Sequence, residues 1–158
     1  MTVYLIMLAI SLFFASCAGR LRGVQEYRRT FRSCAFLSFL PFFVVSAIRF
    51  EVGTDWFIYE EFFYAINEGT NSFKEPLFNL LNKVVFWFSN DPQWVFVISA
   101  FMVLTFVFLA IYKQSRYIPF SILIFFLSTI YFNSLNQIRQ AIAMSIFLFA
   151  FQYVRERN

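Results

Sequence analysis

Five stretches of the chain are apolar almost from end to end, each bounded by polar or charged residues: Thr2–Ala18, Ser33–Ile48, Gln93–Tyr112, Tyr117–Phe132 and Ile138–Val154. A helix needs about 20 such residues to cross a bilayer, with about 17 as the lower limit. Three of the runs sit at that limit, so their ends must borrow interfacial aromatic and polar residues. Helix is the predicted state throughout, because an open strand in lipid would leave its backbone N–H and C=O groups without partners. Pro41 and Pro119 fall inside two of the runs, which helices in bilayers tolerate. The pattern predicts an all-α membrane protein of about five transmembrane helices, residues 1–158 forming a single polytopic domain.

The long connection between the second and third runs, 49–92, has its own pattern. Gly53 offers a turn as the chain leaves the second helix, and Thr54 or Asp55 can then cap a helix over Trp56–Ile66. Pro76–Ser89 is apolar but short, and it carries Asn79, Asn82 and Lys83. Glu75, Asn79 and Asn82 follow one another at i, i+4 and i+7, on one helical face. That spacing predicts an amphipathic helix lying at the membrane interface, or a re-entrant element, rather than a sixth span.

Composition strengthens the membrane reading. Apolar residues make up 60% of the chain and charged residues 14%, where a soluble domain carries about 25% charged residues. Mean hydropathy is +0.65, and the 26 phenylalanines are spread along whole segments rather than kept to one face. A soluble chain of 158 residues has too little interior to hide this much apolar surface. The N-terminal run lacks a preceding basic residue, so it reads as a retained helix. Phe14-Ala-Ser-Cys17 does not make a lipoprotein cleavage site.

The distribution of the net +4 charge sets an orientation. Arg20, Arg22, Arg28, Arg29 and Arg32 follow the first helix, Lys113 and Arg116 follow the third, and Arg155 and Arg157 follow the last. With five helices these clusters share one side, and the positive-inside rule makes it cytoplasmic. The N-terminus, the acidic 49–92 connection and the Asn133–Gln137 link are then outside, and the C-terminus inside. The basic clusters read as topology signals and nucleic-acid binding is excluded. Cys17 and Cys34 fall near cytoplasmic helix ends, where a disulfide is not expected. With no histidine and two cysteines, zinc and haem lack ligands; no metal site or cofactor is expected.

Two arginines break the charge rule. Arg49 and Arg139 both sit at outer helix ends, and an ionised group at membrane depth is a functional candidate by default. Guanidinium also suits bidentate contact with phosphate or carboxylate. Arg139 shares a predicted face with Asn136 and Gln140 and has no acid near it in sequence, so its partner must come from Asp55, Glu75 or a ligand. The plainer reading has Arg139 snorkelling to the interface and Arg49 paired with Glu51 or Asp55. Asp55 and Tyr59 are one turn apart on the helix that follows Gly53.

Three motifs in order, Arg49-x-x-Val-Gly-Thr-Asp-x-x-x-Tyr59, Glu75-Pro-Leu-Phe78 and Asn136-x-Ile-Arg-Gln-x-Ile-Ala143, resemble the EpsG family. These are Wzy-like polytopic proteins of bacterial exopolysaccharide and O-antigen synthesis. The resemblance implies polymerisation of polyprenyl-diphosphate-linked repeat units on the outer face of the bacterial cytoplasmic membrane, among other polysaccharide-assembly proteins. Family members are longer, so the chain corresponds to their N-terminal half. In such a site Arg139 would stabilise the diphosphate leaving group, and Asp55 or Glu75 would take the proton of the attacking hydroxyl. Arg49, Tyr59, Asn136 and Gln140 would bind substrate, with Trp56, Tyr59 and Tyr64 able to stack on sugar rings. Two other readings compete: a non-catalytic membrane subunit or scaffold presenting its acidic loop to a partner, and a transporter element with Arg139 in the substrate path.

Overall fold

The structure, a computed structural model, describes residues 1–50, 52–53, 55–69 and 75–156, with side chains as far as Val154. Glu51 and Thr54, offered above as a partner for Arg49 and a helix cap, lie outside the described residues, as do Lys74 and Arg157. The described residues form Thr2–Leu21 (α1), Arg28–Ala47 (α2), Trp56–Asn67 (α3), Pro76–Phe88 (α4), Gln93–Gln114 (α5), Ile118–Leu127 (α6), Ile130–Asn136 (α7) and Ile138–Glu156 (α8). A single 3-10 turn, Gln25–Tyr27, leads into α2, and no strand occurs among the described residues.

Small residues let the first two helices approach. Ser11, Ala15 and Ala18 recur along one face of α1 and are fully buried, and the Ser11 hydroxyl donates to the Ser38 carbonyl of α2 at 2.7 Å. In lipid, which offers no hydrophobic drive between helices, close packing and such hydrogen bonds hold helices together. Large side chains such as Phe13, Phe36, Phe101 and Phe147 stay exposed, an arrangement suited to lipid and costly in water.

Three helices, α1, α2 (with its leading turn) and α5, are each long and apolar enough to cross a membrane. The run Tyr117–Phe132 departs from the single helix expected of it. It is split into α6 and α7, which meet at 55° and together pass as a fourth span. The break falls where Thr129 takes a left-handed conformation, φ 62° and ψ 0°. A β-branched residue pays for that conformation, so the surrounding packing must hold it. What the bend achieves is the placement of Tyr131. This residue is fully buried, with its hydroxyl 3.1 Å from Ser46 Oγ and donating to Met7 Sδ at 3.6 Å. Its ring meets Phe42 edge-on at 5.0 Å. The turn also shortens the expected Asn133–Gln137 link, because Asn133 to Asn136 belong to α7. The fifth apolar segment, Ile138–Val154, is shorter than the three single spans.

Hydrogen bonds between connections define the two ends of the bundle. At one end Arg22 donates to the carbonyls of Ser115 and, at 3.3 Å, of Lys113, joining the α1–α2 and α5–α6 connections. At the other end Gln93 Nε2 donates to the carbonyls of Ala47 (2.7 Å) and Arg49 (3.0 Å), while Arg49 donates to the carbonyl of Leu135 in α7. The α6–α7 pair therefore runs from the first end to the second. Helix α8 returns, with Gln114 Nε2 donating to the Leu148 carbonyl at 2.9 Å.

Helices α3 and α4 pack together at the second end and reach α5. Helix α4 is about 20 Å long at 1.5 Å per residue, too short to span. It buries Phe78, Asn82 and Val85 and exposes Leu77, Leu80, Val84 and Trp87. The polar face expected of it is thus turned inward, with Asn82 fully buried and bonded through Nδ2 to the Phe78 carbonyl at 2.8 Å. Two cores result. One joins α1, α2, α5, α6 and α7 around Phe42, Phe108 and Tyr131. The other joins α3, α4, the start of α5 and Ile138 around Tyr59, Phe63, Phe78 and Phe96.

Candidate functional site

The second core carries the site. Arg139 stands in the first turn of α8, beside Ile138, which is buried in that core. Its Nη1 donates to Glu75 Oε1, across 64 residues of sequence. Glu75 is the residue before α4, where Pro76 starts the helix with its fixed φ and no N–H to satisfy. Three rings surround the guanidinium, its central carbon lying 6.0 Å from the centre of Tyr59, 5.7 Å from Phe62 and 5.9 Å from Phe78. Tyr59 and Phe62 come from α3 and Phe78 from α4, so two helices build one basket around a cation supplied by a third.

The Arg139 and Glu75 side chains remain 35% and 45% exposed. An ion pair this open to solvent contributes about 0–1 kcal/mol. The pair is thus a weak lock, and an anion able to take both guanidinium nitrogens can displace the carboxylate.

Arg49 occupies a different environment. It is 7% exposed, its Nη1 donates to the Leu135 carbonyl, and its guanidinium carbon lies 4.8 Å from the centre of the Phe96 ring. Burial lowers its pKa to about 10, which leaves it charged at neutral pH. Its Nε is buried and meets no hydrogen-bond partner among the described residues. With Ser46, Ser99 and Ser134 it borders a water-sized cavity. The two arginines are linked through rings: Phe96, beneath Arg49, meets Tyr59 edge-on at 6.3 Å, and Tyr59 borders Arg139.

Asn136 ends α7, and its side-chain oxygen is buried with no hydrogen-bond partner among the described residues. That oxygen presses on Gly53, where a Cβ would overlap it. Gly53 has φ 105°, so the residue type and the close approach require each other. The helix breaks at Gln137, where ψ is 62°. Asn136 therefore does not share a helical face with Arg139 and Gln140, as expected from the spacing, and Gln140 is exposed. Asp55 occupies the cap position of α3 without a side-chain cap hydrogen bond, and it stands one turn before Tyr59.

Of the residues singled out by sequence, Arg139, Glu75 and Tyr59 come together directly. Arg49 lies behind them across Phe96, and Asn136 joins the Gly53 turn to the α7–α8 junction. Trp56 is buried and stacks on Phe96 at 5.7 Å and 10°, while Tyr64 is exposed. Phe78 enters the sequence reading only as the end of the Glu75-Pro-Leu-Phe78 motif, and Phe62 and Phe96 do not enter it. Phe62 follows Tyr59 by three positions on α3, a spacing that points to a shared face. The Leu135 carbonyl carries no side-chain signal at all.

The EpsG family model matches residues 32–158, a region that contains Arg49, Gly53, Glu75, Asn136 and Arg139. No curated protein and no solved structure matches the chain. The family match covers most of the sequence, and the helices beneath the site are long and apolar enough to cross a membrane. The protein is therefore a multi-pass membrane protein of polysaccharide biosynthesis that belongs to the EpsG family.

Proposed function

We propose that the protein acts in joining polyprenyl-diphosphate-linked glycan repeat units at the outer face of the bacterial cytoplasmic membrane. The observation that carries this reading is the Arg139–Glu75 pair inside its aromatic basket. A cation and a carboxylate held together but weakly are the two groups that glycosyl transfer from a lipid diphosphate requires. The diphosphate displaces Glu75 from Arg139, and the guanidinium takes up the charge that grows on the leaving group. The freed carboxylate accepts the proton of the acceptor sugar hydroxyl. The acceptor oxygen bonds to the anomeric carbon as the bond from that carbon to the diphosphate breaks, and the diphosphate leaves with the electron pair. The contact with Arg139 favours Glu75 over Asp55 as the base. Arg49 acts as a positioning residue that ties the α2 end to the α7–α8 junction.

In this reading the end bearing Arg22, Lys113 and Arg116 is cytoplasmic, and the end bearing α3 and α4 faces outward. The exposed apolar side of α4, with Leu77, Leu80 and Trp87, then rests in the lipid interface through which a polyprenyl tail would enter.

The test replaces the chain with Arg139→Lys or Arg139→Gln in the producing cell and reads polymer length on gels. Lysine keeps the charge but loses the planar fork. Normal insertion with loss of most polymer in both variants is expected. Full polymer from the glutamine variant would remove Arg139 from the chemistry and favour a non-catalytic subunit.

A further inference from the structure

At the same end of the bundle, a recess lies on the side of α3 away from Arg139. It is an open cleft of about 900 Å³, within the size range of small-molecule sites. Its walls are aromatic: Phe50, Trp56, Tyr64 and Trp94. Glu60 and Asp91 add carboxylates, and among the described residues no basic one lines it. Helix α3 separates this cleft from the Arg139 basket by its periodicity. Trp56, Glu60 and Tyr64, at i, i+4 and i+8, face the cleft, whereas Tyr59 and Phe62, at i and i+3, face Arg139.

Two of the lining residues also carry buried polar atoms. Trp56 is 6% exposed, and its indole N–H meets no acceptor among the described residues. Gln93, which also lines the cleft, donates its amide N–H groups to the Ala47 and Arg49 carbonyls, and its buried Oε1 meets no donor among the described residues. The cleft thus combines flat aromatic faces with carboxylate acceptors. Ring C–H groups pack on aromatic faces, and hydroxyls donate to carboxylates in charge-assisted hydrogen bonds. Its acidity disfavours phosphate.

We propose that this cleft is a sugar-binding subsite that takes the uncharged or amino-sugar rings of the glycan, apart from the diphosphate held at Arg139. The proposal rests on the function proposed above and adds to it a division of labour across α3. A helix with its side chains is about 10–12 Å across, so a ligand that reaches both the cleft and Arg139 is an oligosaccharide.

The test measures saturation transfer from the detergent-solubilised chain to free chitotetraose and maltotetraose, alongside binding of undecaprenyl diphosphate that carries no sugar. At least one tetrasaccharide is expected to bind, and Trp94→Ala and Glu60→Gln are each expected to weaken it about tenfold while leaving undecaprenyl diphosphate binding unchanged. Arg139→Gln should do the reverse. Absence of transfer to both sugars overturns the proposal, as does sugar binding that survives in both cleft variants. Diphosphate binding that survives Arg139→Gln would instead overturn the role of Arg139 and leave the cleft in place.

Discussion

The side-chain oxygen of Asn136 abuts the backbone of Gly53 so closely that no Cβ fits between them. This contact joins the turn after α2 to the junction of α7 and α8, and so fixes where α8 begins and where Arg139 stands. Gly53→Ala meets both the overlap and a φ of 105° that an alanine rarely adopts. It should cost more than about 1 kcal/mol, read as a lowered thermal midpoint in detergent. Adding Asn136→Ala removes the overlap but not the backbone strain, so the double variant should recover part of the loss. Additive effects would show that the two residues do not meet.

Glu75 separates structure from chemistry. Its ion pair with Arg139 is too exposed to contribute more than about 1 kcal/mol, so Glu75→Gln should leave the thermal midpoint nearly unchanged. Loss of the proton acceptor should lower polymer formation by about a hundredfold or more at equal expression. Normal polymer from this variant would pass the role of base to Asp55.

The hydrogen bond from Arg22 to the Ser115 carbonyl puts the α1–α2 and α5–α6 connections at one end. In a chain freed of Cys17 and Cys34, cysteines at Arg22 and Ser115 should both be shielded from an impermeant reagent applied outside. A cysteine at exposed Asn90 should label. Labelling of Ser115 alone would require α4 to cross the membrane.

Thr129 holds a left-handed backbone that suits glycine better. Thr129→Gly should preserve the bend and keep or raise the thermal midpoint, since relief of strain offsets the added freedom of the unfolded chain. Thr129→Pro, locked near φ −65°, cannot adopt the turn and should displace Tyr131 from Ser46. A midpoint that survives the proline would show that the bend is not needed.

Much of this architecture is visible in the order of residues alone. The apolar runs place α1, α2, α5 and α8, and Gly53 and Pro76 mark the starts of two short helices between spans, because burial in lipid and backbone stereochemistry act residue by residue. The motifs around Arg49, Glu75 and Arg139 are likewise a local property, which is why they point to the EpsG family without coordinates. The break at Thr129 was hidden inside an apolar run. Hydropathy measures transfer to lipid and is blind to φ, although the adjacent hydroxyls of Ser128 and Thr129 mark the place.

What tertiary structure decides is partnership. Periodicity puts Arg139 on a helix face, but only packing brings Glu75 to it from 64 residues away and surrounds it with Tyr59, Phe62 and Phe78. Spacing also suggested that Asn136 and Gln140 share that face, and the change of direction at Gln137 separates them. For Arg49 the sequence supplies a charge at a helix end. The fold supplies the burial, the Leu135 carbonyl and the Phe96 ring that turn this charge inward. A chain can specify which groups are costly to leave unpaired, whereas the identity of each partner depends on distances that exist only once the helices have packed.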